Sequence, residues 1–369
     1  MTSSFPRISV YVHFPWCRRK CPYCDFATRA IDPIHIPQQG YTDAVLQELS
    51  WRAPSFASHQ LVSVFLGGGT PSLWQAEEID RLLKAICASF EDVSPKLEVT
   101  IECNPDSLSA PQAKAFVQAG INRISVGVQS LQNNQLQFLG RLHDANGALD
   151  ALRSTAPHVS RLSADVMFGM QGQQTSDFIH ELDRLLSIPV SHLSVYALTV
   201  EPRTTFGTLY RQGRLPLATD NTYAELFSAA EDFLSRRGMV HYEVSNYAQP
   251  GEESIHNQHY WHGGDYIGLG AGAVGCLPTH PGQKRRYVNH DDPKTYMMQS
   301  SDSTVEAQAE TLNAISLVNE ALLLGLRTHE GVHLESLIKR TGRDPAKGRE
   351  HAVEIQQTRG NLTVTPTHW

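Results

Sequence analysis

A chain of 369 residues can bury one large core and carry a small appendage, and 41% hydrophobic with 19% charged content suits a folded globular protein. A net charge of −7 argues against a general nucleic-acid binder. No apolar run approaches a membrane span, no charged-then-apolar signal pattern opens the chain, and six cysteines fit a reducing compartment, so a cytoplasmic location is expected.

In chain order, Ile8 to Phe14 is β-branched and aromatic and is stopped by Pro15, which predicts a first strand. Gln39 to Arg52 reads as a helix with Tyr41, Val45, Leu46 and Leu49 on one face. Leu61 to Leu66 is a second strand ending at Gly67-Gly68-Gly69-Thr70-Pro71, and Ala76 to Phe90 a helix with Ile79, Leu82, Leu83 and Ile86 at helical spacing. Leu97 to Cys103, Arg123 to Val128, Leu162 to Phe168 and His192 to Leu198 continue as strands. Between and after them, helical patterns cover Ser109 to Ala119, Gln135 to Leu139, Ala145 to Arg153, Ser176 to Ser187 and Thr222 to Arg236. Val240 to Val244 is a further candidate strand. Repeated strand–helix units demand parallel strands with right-handed crossovers, and six of them favour a barrel or open barrel over a doubly wound sheet.

From Gln249 the pattern breaks. His256 to Gly275, rich in glycine, histidine and aromatics, is expected to be irregular, and the basic run Lys284-Arg285-Arg286 to be a solvated loop. Val305 to Leu326 reads as one long helical stretch, Val332 to Thr341 as another helix and Asn361 to Thr365 as a short strand, an arrangement suited to a small winged-helix-like appendage. The chain therefore divides into 1–248, a barrel or open barrel; 249–304, an irregular segment across the barrel mouth; and 305–369, a small, mainly helical domain expected to be abbreviated.

Cys17, Cys21 and Cys24 fall within eight residues, in a loop leaving the first strand. Such a loop can curl three thiolates around one face of an iron–sulfur cubane, leaving one iron free to bind something else. Structural zinc wants four ligands, typically in two pairs, and no second pair exists; disulfides suit an odd, tight trio badly. Zinc and plain surface cysteines remain the alternatives. Cys87, Cys103 and Cys276 read as inert core thiols.

In a parallel barrel, functional groups gather at the carboxyl ends of strands. There stand Gly67 to Thr70, whose glycines let the backbone approach a ligand; Glu102, able to accept from ribose hydroxyls; Gln129; and Arg141, a planar fork for a carboxylate. Asp165 lies inside the fifth strand and Tyr196-Ala197 near the end of the sixth. Each alone is more often a solvated or core-satisfied polar group. His256-Asn-Gln-His-Tyr-Trp261 offers an imidazole beside aromatics, a combination suited to haem, but also to plain packing with His256 hydrogen-bonded inside.

Cys17-x-x-x-Cys21-x-x-Cys24 after a strand resembles the cluster signature of radical S-adenosylmethionine proteins. Its flanks, Tyr11-x-His13-x-Pro15 before and Asp25-Phe26 after, resemble the anaerobic coproporphyrinogen III oxidase family. Phe26 stands where the oxidase branch usually carries a fourth cysteine, which points to the haem-chaperone branch; the likeness runs from Tyr11 to about Thr328. The resemblance implies a partial (β/α)6 TIM-like barrel, a [4Fe–4S] cluster on the three cysteines and S-adenosyl-L-methionine beside it. Gly67, Gly68 and Thr70 belong to the segment that holds the methionyl amine, and Tyr11, Gly68, Glu102, Gln129, Arg141, Asp165 and Ala197 match the family's cofactor contacts in order. Gln129 and Asp165 are candidates for a second such molecule. His256-Asn257-x-x-Tyr260-Trp261 resembles a motif proposed to hold haem, although Val274 stands where relatives often carry a histidine. The expected function is haem binding and delivery to haem-accepting proteins, respiratory and membrane-bound ones included. Radical oxidative decarboxylation of coproporphyrinogen III is the alternative, and a non-haem radical enzyme such as a methyltransferase a third class.

Overall fold

The computed structural model describes residues 5–369. β1 (Arg7–Phe14) leads through two short strands, β2 (Trp16–Cys17) and β3 (Arg29–Ala30), into α1 (Gln38–Arg52). Strand–helix units follow: β4 (Gln60–Gly68) with α2 (Ala76–Ala88), β5 (Asp92–Cys103) with α3 (Ala110–Gln118), and β6 (Arg123–Gln129) with α4 (Asn133–Phe138) and α5 (Ala145–Thr155). β7 (Arg161–Phe168) with α6 (Thr175–Leu186), and β8 (His192–Ala197) with α7 (Thr205–Arg211) and α8 (Asp220–Arg236), complete the series. Neighbouring strands from β1 through β4, β5, β6 and β7 to β8 pair in parallel, as the alternation predicts. β8 does not close onto β1. Its other edge takes antiparallel β10 (Asn246–Ala248), which pairs with β9 (Val240–Glu243), so the (β/α)6 barrel is partial.

Burial explains the alternation. In β6 the odd-numbered Arg123, Ser125, Gly127 and Gln129 face the inside, whereas Ile124, Val126 and Val128 are fully buried against the helices. α2 answers with Ile79, Leu82 and Ile86, also fully buried, each stabilising the helix–sheet layer by about 1.5–3 kcal/mol. A filled barrel carries branched apolar side chains at its inward positions. This one carries Tyr11, Glu102, Ser125, Asp165 and Ser194 there, and it encloses space rather than packing it.

Four expectations about elements are corrected. The stretch expected to be irregular contains α9 (Ile255–Trp261) and β11 (Asp265–Leu269), and β11 adds a parallel strand on the free edge of β1. α9 is held at the amino ends of the strands: Glu98 of β5 accepts from the backbone N–H of Ile255 and of His256, both at 3.0 Å. The segment thus lies away from the mouth where the cysteines sit. β12 (Val274–His280) and β13 (Gln283–Asn289) extend the sheet, and Lys284-Arg285-Arg286 is part of β13 rather than a loop, with Lys284 bonded to Asp265 at 2.7 Å and Arg286 to Glu320 at 2.5 Å. After α10 (Pro293–Gln299), the stretch expected as one long helix splits into edge strand β14 (Glu306–Leu312) and α11 (Ala314–Gly325), divided by Asn313, whose side chain accepts from the Ile315 and Ser316 amides. Finally, α12 (Leu334–Thr341) forms as expected, but Asn361 to Thr365 is not a strand; α13 (Glu350–Thr358) precedes it, and the last backbone pairing is a single bridge between His333 and His368. A small separate core of Val318, Leu322, Val332, Leu337 and Trp369 holds this helical end together.

Candidate functional site

The cysteine loop is shaped by its own backbone. Arg29 N–H donates to Pro15 O at 2.8 Å and Ile31 N–H to Cys17 O at 2.9 Å, which pins both ends of the loop through the β2–β3 ladder. Between them Cys24 N–H reaches Cys21 O at 3.2 Å, a turn that brings the second and third cysteines together. The glycine segment docks alongside, with Gly69 N–H on Phe14 O at 2.7 Å and Thr70 N–H on Trp16 O at 2.8 Å. A Cβ on Gly69 would lie 2.4 Å from Trp16 O, and Gly68 holds φ +108° against the His13 ring, so both positions require glycine.

Cys17, Cys21 and Cys24 are free thiols around one chamber of about 330 Å³. Burial pushes the Cys17 and Cys24 thiols up. Gly68, Thr70, Glu102, Gln129, Arg141, Asp165 and Tyr196 line the same chamber. Arg141 Nη1 stands 3.7 Å from Cys21 Sγ, while Nη2 is fixed by Gly127 O at 2.9 Å and Asn104 Oδ1 at 2.5 Å. Gln129 is the one non-glycine residue among those described with positive φ, +68°, a conformation costing of order 1 kcal/mol that turns β6 out at its bulge beside Gly127. Glu102 Oε2 accepts from Gly68 N–H at 3.2 Å. Burial, with the Asp165 charge nearby, pushes its carboxyl up to about 7. Burial raises Asp165 as well, against the Ser194 and Ser125 hydroxyls, the latter donating at 3.0 Å.

A second chamber, of about 550 Å³, continues inward and shares Phe26, Gly68, Glu102, Asp165 and Tyr196 with the first. Its walls are Tyr11, Phe65, His256, Tyr260, Trp261 and Tyr266. The His256 ring sits 4.9 Å from Phe65 and 4.8 Å from Tyr260, its Nδ1 2.9 Å from Ser63 Oγ, and burial pushes it down to about 3, so the imidazole is neutral. Burial likewise lowers His13 to about 4; its Nε2 must donate to Ala27 O at 3.1 Å, which leaves Nδ1 to accept from Tyr11 OH at 3.1 Å.

Most residues singled out in the sequence therefore meet, but in two places. Tyr11 and His256 face the inner chamber, not the cysteines; Gly67 packs between Tyr11 and Glu102; Ala197 is exposed at the end of β8. Asn104, which orients Arg141, and Arg123, which faces the inner chamber, were missed. Arg123 was discoverable, since it keeps the two-residue phase of Ser125, Gly127 and Gln129.

Among the described residues no three His, Cys, Asp or Glu side chains are gathered so as to hold a metal ion. A cubane differs from a single ion, because it spreads its ligands over several iron atoms. Three free thiols of one loop around one chamber with a fixed guanidinium suit that group; a fourth cysteine, Cys103 of β5, also lines the chamber but is buried in the strand. Fold and chamber together define a radical S-adenosylmethionine protein, and residues 11–185 match the Radical SAM superfamily. Over 79% of this chain and 76% of the relative, the sequence is 38% identical to the protein named Heme chaperone HemW in Haemophilus influenzae. It is 33% identical to the Bacillus subtilis protein of the same name, over 91% of this chain and 87% of that one. The chain belongs to the HemW family. A solved coproporphyrinogen III oxidase (HemN) from Escherichia coli, described as a radical SAM enzyme, shares the fold: TM-score 0.79 at 20% identity, covering 98% of this chain and 86% of that one. Superfamily membership implies a [4Fe–4S] cluster and S-adenosylmethionine. No helix among the described residues is long and apolar enough to cross a membrane.

Proposed function

We propose that this chain binds haem and delivers it to acceptor haemoproteins, respiratory and membrane-bound ones among them, from the cytoplasm. In this reading Cys17, Cys21 and Cys24 hold the [4Fe–4S] cluster. Gly68, Thr70, Glu102, Gln129, Arg141 and Asp165 hold S-adenosylmethionine in the outer chamber. When bound, the cluster and cofactor supply one-electron cleavage of a sulfonium bond; the protein's residues bind, orient and exclude water.

The observation that carries the haem reading is the inner chamber: a neutral, buried imidazole between Phe65 and Tyr260, in an aromatic cavity continuous with the cysteine chamber. Neutral imidazole is the ligating form. Val274 lines the same cavity, so the position that often supplies a second imidazole supplies none, and His256 is the candidate ligand. Names of relatives support the same conclusion. Phe26, 54% exposed at the junction of the chambers, favours it over the decarboxylase. Anaerobic incubation of reconstituted protein with coproporphyrinogen III, S-adenosylmethionine and a reductant separates the two: protoporphyrinogen and carbon dioxide would refute the chaperone reading. Haemin titration of the wild type should give a Soret band that His256→Ala shifts or weakens.

Glu102 adds a pH prediction. A carboxyl raised to about 7 is half protonated at neutral pH, and only the carboxylate accepts from both ribose hydroxyls. S-adenosylmethionine affinity should rise roughly tenfold between about pH 6 and pH 8. Calorimetric titration checks this, and Glu102→Gln should flatten the profile.

A further inference from the structure

The inner chamber contains a cation that the cluster, the cofactor and the haem iron leave unused. Arg123 opens β6 and lines the cavity together with the aromatic walls, with only 3% of its surface exposed. Among the described residues it makes no ion pair and no side-chain hydrogen bond. Its charge lowers His192 and His256 and is the largest of the charges that hold Glu98 down, yet the Glu98 oxygens make their bonds to other groups. Oε2 takes Arg161 at 2.7 Å and the Ile255 amide, and Oε1 takes the His256 amide and, at 3.4 Å, Ser254 Oγ. Glu102 and Asp165, the acids that also line the cavity, lie further along the strands toward the cysteines; the Arg123 charge offsets part of the burial that raises both, but among the described residues neither pairs with it.

We propose that Arg123 is the carboxylate anchor of the inner chamber, taking an acidic substituent of an otherwise apolar, planar ligand whose flat face lies against Tyr260, Phe65 and Tyr266. A guanidinium presents two parallel N–H groups matched to a carboxylate, and burial of Arg123 beside aromatic walls strengthens such a bidentate bond. This assignment rests on the haem reading and makes it more specific: the ligand is recognised by a propionate as well as by its iron. The anchor stands near the amino ends of the strands, at the end of the cavity away from the cysteine chamber.

Ester-capped cargo tests it. Reconstituted full-length protein is titrated anaerobically with haemin and with haemin dimethyl ester, in the wild type, Arg123→Gln and Arg123→Lys. The wild type should bind the ester roughly ten- to hundredfold more weakly than haemin. Arg123→Gln should bind both as weakly as the wild type binds the ester, and Arg123→Lys should restore part of the discrimination. Cluster absorbance and S-adenosylmethionine affinity, both read at the other chamber, report whether each variant is folded; if Arg123→Gln is not, the wild-type and Arg123→Lys pair decides alone. Equal wild-type affinity for haemin and ester overturns the anchor while leaving the chaperone reading intact, as does undiminished discrimination in the variants. A wild type that binds neither overturns both.

Discussion

Serine in place of Cys17, Cys21 or Cys24 will strip the anaerobically reconstituted protein of its iron and acid-labile sulfide, each single variant keeping less than about a tenth of the wild-type content. The three thiols stand around one chamber with no other cysteine in the loop, Cys103 on the chamber wall is held buried in β5 with its thiol pushed up by burial, and the serine hydroxyl is too weak an acid to replace a thiolate. The wild type should hold about four irons per chain, the count of a cubane. Cys87→Ser and Cys276→Ser are the controls. Cys87 packs on the barrel core and Cys276 is buried with Leu312 and Leu317, so their variants should retain full iron and sulfide. Loss of iron in those two, or its retention in the loop variants, would place the cluster elsewhere. Burial raises the Cys17 and Cys24 thiols, so assembly must release their protons, and cluster loading should slow as pH falls.

The cysteine spacing and the strand–helix alternation were legible because each is local: a period of two, a helical stripe, or three thiols in one loop. What the sequence concealed depends on partners far along the chain. Asp265 to Leu269 is short and contains Gly268, and becomes a strand because β1 offers it an edge. Glu306 to Leu312 has the alanine, glutamate and glutamine of a good helix, yet pairs with β13, where Arg286 meets Glu310 at 3.3 Å and Arg285 meets Glu306 across the strands. Charge matching with a basic strand outweighs weak helix propensity. The location of His256 was hidden for the same reason. Nothing local says whether a histidine-rich turn covers the mouth of a barrel or its base; the Glu98 carboxylate decides it.

That carboxylate is therefore the residue whose loss should cost the fold most for a single polar substitution. Glu98 is 1% exposed; it accepts from two amides at the start of α9 and bonds Arg161 at 2.7 Å. Burial alone would raise its pKa, but Arg123, Arg161 and the two amides together hold it below the ordinary carboxylate value. Glu98→Ala removes the acceptor, orphans the buried His256 amide and the half-buried Ile255 amide, and strips Arg161 of its 2.7 Å partner, a loss of about 3–5 kcal/mol in urea unfolding. The pH dependence follows from the sign of the shift. A carboxyl depressed in the folded state contributes its stability above the unfolded pKa, and loses it as pH falls through the folded value. Wild-type stability should thus decline below the ordinary carboxylate range, and Glu98→Gln, already lowered at neutral pH, should decline less over the same interval. The two ends of the barrel should also separate. α9 carries His256, so haemin titration in Glu98→Gln should weaken, whereas iron content and S-adenosylmethionine affinity, set at the opposite ends of the strands, should hold. Equal damage at both chambers would mean that Glu98 supports the barrel as a whole rather than seating α9.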